Sequence, residues 1–428
     1  MNRKTNLQKR IVVVGLGYIG LPTAAILATH GCSVVGVDIR SDVVAAVNRG
    51  EVPFVEPDLD IAVTAAVTKG ALVARSSVPV ADVYIVAVPT PLGSDRTPDL
   101  SFVEKATAQI AAVLRGGELV ILESTSPPGT TRKMSEIVAS LRPELKGSIL
   151  FAHCPERVLP GRMMVELIEN DRIIGGLTSE AAESAMEVYA TFCRGELIPT
   201  TATTAETAKL VENAYRDVNI AFANELSMLS TALDINVWEL ISLANHHPRV
   251  NILNPGPGVG GHCIAVDPWF LVDAVPEHSL LIKQARLSNL SKTEFVFREI
   301  STHVGAVGVP AVLVLGVSYK ADVDDLRESP AIEITEALAK EHPTVSFLVR
   351  DPFVVDLPVH LRELPNVSLV DSIEMIPDSA IVCGLVGHSD FRNLDLSRFD
   401  PENVFDVCGI WPSTEDSVVN LPSSPVRG

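Results

Sequence analysis

The chain has 428 residues, 47% of them hydrophobic, and a formal net charge of −19. That length suits two or three domains with cores large enough to need no staples, and the acidic balance excludes nucleic acid as an expected partner, because phosphate binding needs a basic surface. No membrane span is expected: the uncharged run Val304 to Tyr319 is broken by Gly305, Gly308, Pro310 and Gly316 and reads as a loop leading into a buried strand.

Taken in chain order, the basic opening "MNRKTNLQKR" carries no readable signal peptide. The apolar run "IVVV" (11–14) predicts a central parallel strand. It ends in "GLGYIG", with Gly15, Gly17 and Gly20, and "LPTAAILATHG" predicts a helix. "SVVGVD" predicts a second strand closed by Asp38, and "VYIVAVPTP" and "ELVILESTSPPGT" predict strands that run into loops rich in Pro, Thr and Ser. Strand and helix alternate to about residue 200, the pattern of a doubly wound α/β domain.

From Thr203 to about Leu233 there is no Gly or Pro, which predicts one long helix, with Thr203 and Glu206 as its capping box and apolar flanks that imply a largely buried rod. A second α/β unit begins near residue 305: "AVLVLGVSYK", "VSFLVRDP" and "SAIVCGLVGHSDF" predict strands in an order that loosely echoes the first unit, without its GxGxxG. The expected fold is therefore α/β, two Rossmann-like doubly wound domains joined by a long central helix.

The glycine motif has its confirming context, since it follows a strand, opens a helix, and is followed by Asp38 at the end of the next strand. Glycines let the backbone approach a pyrophosphate at the helix N-terminus, and Asp38 can accept from the adenosine ribose hydroxyls while repelling a 2′-phosphate, which favours NAD over NADP. On the long helix Lys209, Asn213 and Arg216 fall at i, i+4 and i+7, on one face. Cations and an amide on a buried helix need a partner, which an anionic ligand would supply; a solvated polar stripe is the competing reading. His246, His247 and Arg249 precede the loop "NPGPGVGGHCIAVDPWF", and Lys320 and Arg327 follow the first strand of the second unit, where ligands bind in open α/β sheets. Basic groups there suit a diphosphate or carboxylate.

Six cysteines (32, 154, 193, 263, 383 and 408) show no CxxC pair and no metal spacing, which points to the reducing cytoplasm and to no metal site. Cys263 follows a loop that holds four glycines and two prolines, with His262 directly before it. A thiol on a loop so costly to order is either a positioned nucleophile or a small buried hydrophobe. Adjacent residues of an extended chain point to opposite sides, so Asp267 rather than His262 is read as its partner.

"GLGYIGLP", "VPTP", "ESTSPPGT", "CPERVLPG", "AKLVENAYRDVNIAFANE", "GPGVGGHCIAVDPWF" and "GVSYKADVDDLRESP", in that order from about residue 11 to 335, resemble the UDP-glucose/GDP-mannose dehydrogenases. The resemblance implies residues 1–200 as an NAD-binding Rossmann-like domain, 201–300 as a central helical dimerisation domain, and 301–428 as a UDP-sugar-binding α/β domain. It implies a four-electron oxidation of a primary alcohol to a carboxylate by two NAD, in a homodimer or higher homo-oligomer. Carried over by position, Cys263 is the nucleophile and Lys209 the acid/base residue, with Asp267, Asn213, Thr125 and Glu156 in the catalytic group. Arg157, Val158, Lys209, Asn213, Arg216, His247, Arg249, Gly260, Tyr319 and Lys320 fall at substrate positions. Tyr18, Ile19, Asp38, Thr90, Thr125 and Arg327, with the three glycines, fall at cofactor positions. Glucose enzymes of the family carry a second glutamate four residues after the first; here that position is Pro160, which together with Arg157 and Val158 fits the N-acetylamino-sugar branch and UDP-N-acetyl-D-mannosamine. UDP-N-acetylglucosamine and UDP-glucose are the alternative substrates. A nucleotide-sugar sensor would be expected to have lost Cys263 or Lys209, and an acyl-transferring cysteine enzyme does not account for GxGxxG with Asp38.

Overall fold

The computed structural model describes residues 9–54, 56–93, 95–158 and 161–411. Pro160, the first eight residues of the basic opening and the chain beyond Trp411 lie outside the described residues. The chain divides into two compact units, one running to Glu212 and adding Trp269–Pro276, the other holding Asn213–Pro268 and the chain from Glu277 on.

The first unit is built on eight strands: β1 (Arg10–Val14), β2 (Ser33–Val37), β3 (Leu72–Arg75), β4 (Val83–Val86), β5 (Leu119–Leu122), β6 (Leu150–His153), β7 (Arg172–Gly176) and β8 (Leu197–Thr201). They lie in the order β3-β2-β1-β4-β5-β6-β7-β8, all pairs parallel except β6 with β7. Side chains alternate across a strand, so both faces need cover. Ile11 and Val13 enter the core made with helices Gly20–Thr29 and Leu59–Thr68, while Val12 and Val14 enter the opposite core, with Ser101–Ala111 and Thr130–Leu141. Chain order reverses between β1 and β4, the switch point at which an open parallel sheet leaves a crevice.

The second unit carries the parallel sheet β11-β10-β9-β12-β13, formed by β9 (Ala311–Leu315), β10 (Ser346–Arg350), β11 (Val367–Leu369), β12 (Ile381–Gly384) and β13 (Val404–Asp406). Its first turn repeats that of the first unit bond for bond. Gly15 (φ +94°) donates its N–H to Val37 O at 2.8 Å, and Leu16 N–H donates to Asp38 Oδ2 at 2.9 Å. Gly316 (φ +86°) donates to Arg350 O at 2.9 Å, and Val317 N–H donates to Asp351 Oδ2 at 2.8 Å. The second copy is closed: His388 Nε2 lies 3.1 Å from Asp351 Oδ2, and a Cβ on Gly316 would lie 2.4 Å from Val386 Cβ. The echo in the sequence is thus a repeated turn whose aspartate is buried.

Three expectations are corrected. Val304–Val307 is the last turn of helix Leu280–Val307, stopped by Gly308 at φ +68°, rather than a loop. The long helix, Ala202–Leu233, starts on Thr201, whose Oγ1 accepts from Thr204 N–H; Glu206 instead reaches the N–H groups of Gly129 and Thr131, at 2.6 and 2.7 Å, at the start of another helix. That helix is also buried along one face only, since Val211, Tyr215, Phe222, Leu229 and Leu233 are exposed.

Candidate active site

In the first unit a cavity of about 610 Å³ opens at the switch point, lined by Gly15, Gly17, Tyr18, Ile19, Asp38, Arg40, Val88, Phe102, Lys105 and Gln109 among others. The three glycines do different work. A Cβ on Gly15 would lie 2.3 Å from Ala87 O, and one on Gly20 would lie 1.9 Å from Gly15 O, so both positions exclude any side chain. A Cβ on Gly17 would meet nothing within 4 Å, so this side of the backbone is open to a ligand. Ile19, at the N-cap of helix Gly20–Thr29, makes no side-chain cap hydrogen bond, so the positive end of the helix dipole faces the cavity without a side chain of its own to cap it. Asp38 Oδ1 accepts from Arg40 N–H and Oδ2 from Leu16 N–H, both at 2.9 Å. Each oxygen keeps a lone pair for a ribose hydroxyl. These residues fit a dinucleotide such as NAD.

At the ends of β4 and β5, Thr90 Oγ1 donates to Thr125 O at 2.6 Å, and Ser124 Oγ donates to Val88 O at 2.7 Å, which joins the two loops. Glu156, just beyond β6, has an 8% exposed side chain. Its Oε1 accepts from Arg157 N–H at 2.7 Å and its Oε2 from Arg172 Nη2 at 2.8 Å. Arg157 spends its guanidinium on Glu212 (2.7 Å) and Asp171 O (2.5 Å), and Val158 packs partly buried on the core. Lys209 is half-buried, one helical turn before Asn213.

In the second unit Cys263 is exposed, which removes the buried-hydrophobe reading. It opens a turn in which Val266 and Asp267 N–H donate to Cys263 O at 3.2 and 2.9 Å. Asp267 is 4% exposed and its Oδ2 accepts from Asn213 Nδ2 at 2.5 Å; Arg216 Nη2 donates to Asn213 Oδ1. The helix face therefore brings Asn213, Arg216 and Asp267 together. The glycine loop packs against the segment after β9: a Cβ on Gly260 would lie 2.2 Å from Glu328 O, and one on Gly261 (φ +80°) would lie 2.8 Å from the Tyr319 ring. Burial raises the Tyr319 phenol above its ordinary value, with Asp325 and Cys263 adding to the effect. Lys320, His247 and Arg249 are exposed, and Arg327 is held by Asp325 at 2.8 and 2.6 Å. Burial lowers the pKa of His262, helped by the nearby Arg327.

A buried network that the sequence reading missed fixes the glycine loop. Asp217 Oδ1 pairs with Arg286 Nη1 at 2.6 Å and accepts from Asn289 Nδ2 at 2.8 Å; Asn224 Nδ2 donates to Asn289 Oδ1 at 2.8 Å, and Gly256 N–H donates to Asn224 Oδ1 at 2.9 Å. The signal available was the buried face itself, where Asn213, Asp217 and Asn224 are all 0% exposed. Lys292 is also buried in this unit; it donates to the Ser227 hydroxyl at 2.6 Å, and burial lowers its pKa to about 8. Among the described residues no cluster of three metal-ligating side chains occurs, and no helix is long and apolar enough to cross a membrane.

A parallel sheet with an open glycine cradle beside an aspartate defines a dinucleotide-binding α/β fold of the dehydrogenase type. Residues 9–193, 203–291 and 313–413 match, respectively, the NAD-binding, central and UDP-binding domains of the UDP-glucose/GDP-mannose dehydrogenase family. The chain belongs to that family. It is similar to an NDP-N-acetyl-D-galactosaminuronic acid dehydrogenase of Ralstonia nicotianae, 49% identical over 96% of this chain and 98% of the relative. It is equally similar to a UDP-N-acetyl-D-mannosamine dehydrogenase of Campylobacter jejuni, 49% identical over 92% and 98%. Among solved structures it resembles a UDP-D-ManNAc dehydrogenase of Pyrococcus horikoshii, with a TM-score of 0.83 and 37% identity over 97% of this chain and all of that one.

Proposed function

We propose that this enzyme oxidises UDP-N-acetyl-D-mannosamine at C6 to UDP-N-acetyl-D-mannosaminuronate, with covalent capture on Cys263. The observation that carries the reading is the thiol itself, exposed on a glycine loop fastened to the long helix through Gly256 and Asn224, next to the Asn213–Asp267 pair. Cys32, Cys154 and Cys383 are buried, and burial pushes their thiols up, away from the reactive thiolate.

NAD+, held by Gly15, Gly17, Tyr18, Ile19, Gly20, Asp38, Thr90, Thr125 and Arg327, supplies the hydride acceptor twice, so that alcohol, water and two NAD+ become carboxylate, two NADH and three protons. Lys209 takes the alcohol proton and stabilises the oxyanion. The Cys263 thiolate adds to the aldehyde carbon as a hemithioacetal, whose oxidation leaves a thioester. A water oxygen then bonds to the thioester carbon, the C–S bond breaks, sulfur leaves as the Cys263 thiolate, and the water proton goes to Glu156 or Asp267. Arg157, Val158, Asn213, Arg216, His247, Arg249, Gly260, Tyr319 and Lys320 hold the UDP-sugar, the cations matching its diphosphate.

Residues 1–200 serve the cofactor, 201–300 dimerisation and 301–428 the UDP-sugar. The exposed stripe Val211, Tyr215, Phe222, Leu229 and Leu233 supports a homodimer or higher homo-oligomer, because the spacing matches a helix–helix seam. Six scattered cysteines with no CxxC pair support a place in the cytoplasm, and a uronate nucleotide suits polysaccharide biosynthesis. The Ralstonia relative favours a second reading, a sugar of galacto configuration. Comparing kcat/KM for UDP-N-acetylmannosamine, UDP-N-acetylgalactosamine, UDP-N-acetylglucosamine and UDP-glucose tests both. A preference for the first supports the proposal, and a preference for any other overturns the substrate.

A further inference from the structure

Behind Glu156, in the core of the first unit, lies a charge cluster that no step above uses. Arg172, at the start of β7, is 4% exposed, and its guanidinium sits over the rings of Tyr189 (4.8 Å) and Phe192 (5.3 Å). Its Nη2 donates to Glu156 Oε2 at 2.8 Å; its Nη1 lies 3.9 Å from Glu123 Oε1 and donates to Cys154 Sγ at 3.7 Å. Glu123, 1% exposed, directly follows β5, two residues before Thr125, and also accepts from Tyr189 Oη at 3.2 Å. One buried cation thus touches carboxylates at the heads of the two loops that carry Thr125 and Glu156.

A guanidinium is costly to bury, and a buried ion pair is weak grounds for stability by itself. Its planar fork does supply direction, which a lysine cannot. Glu156 rides on a loop, so its carboxylate would turn freely without a partner. Arg172 on one oxygen and the Arg157 N–H on the other fix its plane and leave lone pairs of set direction. Glu123 does not compete for the charge at low pH: burial above all raises its carboxyl to about 7.

We propose that Arg172 is a positioning residue for the hydrolytic step: it holds the Glu156 carboxylate in the orientation from which it takes the proton of the water that cleaves the Cys263 thioester. The inference rests on the proposed function and takes Glu156 of the two candidate bases named there. In that step the new C–O bond forms as the C–S bond breaks, and Cys263 leaves as thiolate.

The test uses the full-length enzyme with UDP-N-acetylmannosamine and NAD+ in Arg172→Lys and Glu156→Asp. The lysine keeps the buried charge but loses the fork. The aspartate keeps a carboxylate that falls short of Arg172 while the arginine and the core side chains around it stay in place, so it reads the clamp by a second, independent substitution. In both, a rapid phase of about two NADH per subunit should precede steady turnover slowed by about 10²-fold. Mass spectrometry should find the acyl adduct on the Cys263 peptide. Hydroxylamine attacks a thioester without a general base, so it should restore NADH production, releasing the hydroxamate and the free thiol. A purely structural arginine would lower activity without an adduct and without hydroxylamine rescue. Glu156→Asp stalling as acyl-enzyme while Arg172→Lys does not would overturn the proposal and leave the Glu156 assignment standing. Absence of adduct in both would overturn that assignment and the proposal with it, whereas Cys263→Ala still failing to make uronate would keep the thioester reading.

Discussion

Asp38 ties the glycine loop together and lines its cavity, so Asp38→Asn is a sharp perturbation. The carboxylate accepts two backbone N–H groups, from Leu16 and Arg40, each at 2.9 Å. Hydrogen bonds to a charged group are worth about 1.5–3 kcal/mol each. Asparagine keeps one acceptor oxygen and turns an NH2 toward the other N–H, so one bond of that size is lost together with the best acceptor for the ribose. At about 1.4 kcal/mol per tenfold, NAD+ affinity should weaken by about 10- to 100-fold. For NADP+ the change has the opposite sign. A carboxylate about 4 Å from a phosphate charge costs about 4 kcal/mol at the effective dielectric of a protein surface, and the substitution removes it. Arg40 and Lys105 already line the same cavity and would then act unopposed. The ratio of kcat/KM for NAD+ over NADP+, followed by NADH or NADPH absorbance, should fall by about 10²-fold or more. An unchanged ratio with unchanged NAD+ affinity would refute the role given to Asp38.

Lys292→Met tests the cost of a buried ammonium on a neutral hydroxyl. Its folded pKa, about 8, lies below the ordinary 10.5, so the unfolded chain holds a proton that the folded one lacks between those values, and stability should rise with pH across that window. The full penalty, about 3 kcal/mol, applies below pH 8, so the methionine variant should be more stable there and show no such slope in urea titrations; a less stable variant at pH 7 would contradict this. Asp217→Ala strands the buried Arg286 guanidinium and should cost about 3–5 kcal/mol in urea unfolding, with kcat falling as the glycine loop loosens; a loss under about 1 kcal/mol would mean the network is incidental. Glutamate at both Tyr215 and Phe222, which are 70% and 54% exposed, should reduce the oligomer to single chains in sedimentation; a wild-type monomer would refute the seam.

The fold was largely legible because its strands are continuous apolar runs that stop at Gly15, Asp38, Gly316 and Asp351, and strands buried on both faces can look no other way. The glycine turn after β1 was legible for the same reason, since steric exclusion at Gly15 and Gly20 leaves one residue type. What the sequence hid were partnerships across long stretches of chain. Glu206 looked like the local partner of Thr203 but serves Gly129 and Thr131. Arg172 with Glu123 and Glu156, and Asp217 with Arg286 and Asn289, join residues that no helical or strand period relates. The exposed face of the long helix was misjudged because an apolar stripe reads alike whether it meets its own chain or another.

The reaction is decided most directly by counting NADH against uronate with UDP-N-acetylmannosamine, in the wild-type enzyme and in Cys263→Ala. The wild type should form two NADH per uronate with no free aldehyde, and the alanine variant should bind both ligands yet make no uronate. One NADH per sugar with aldehyde accumulating, or uronate formed at near wild-type rate by Cys263→Ala, would contradict thioester chemistry at this site.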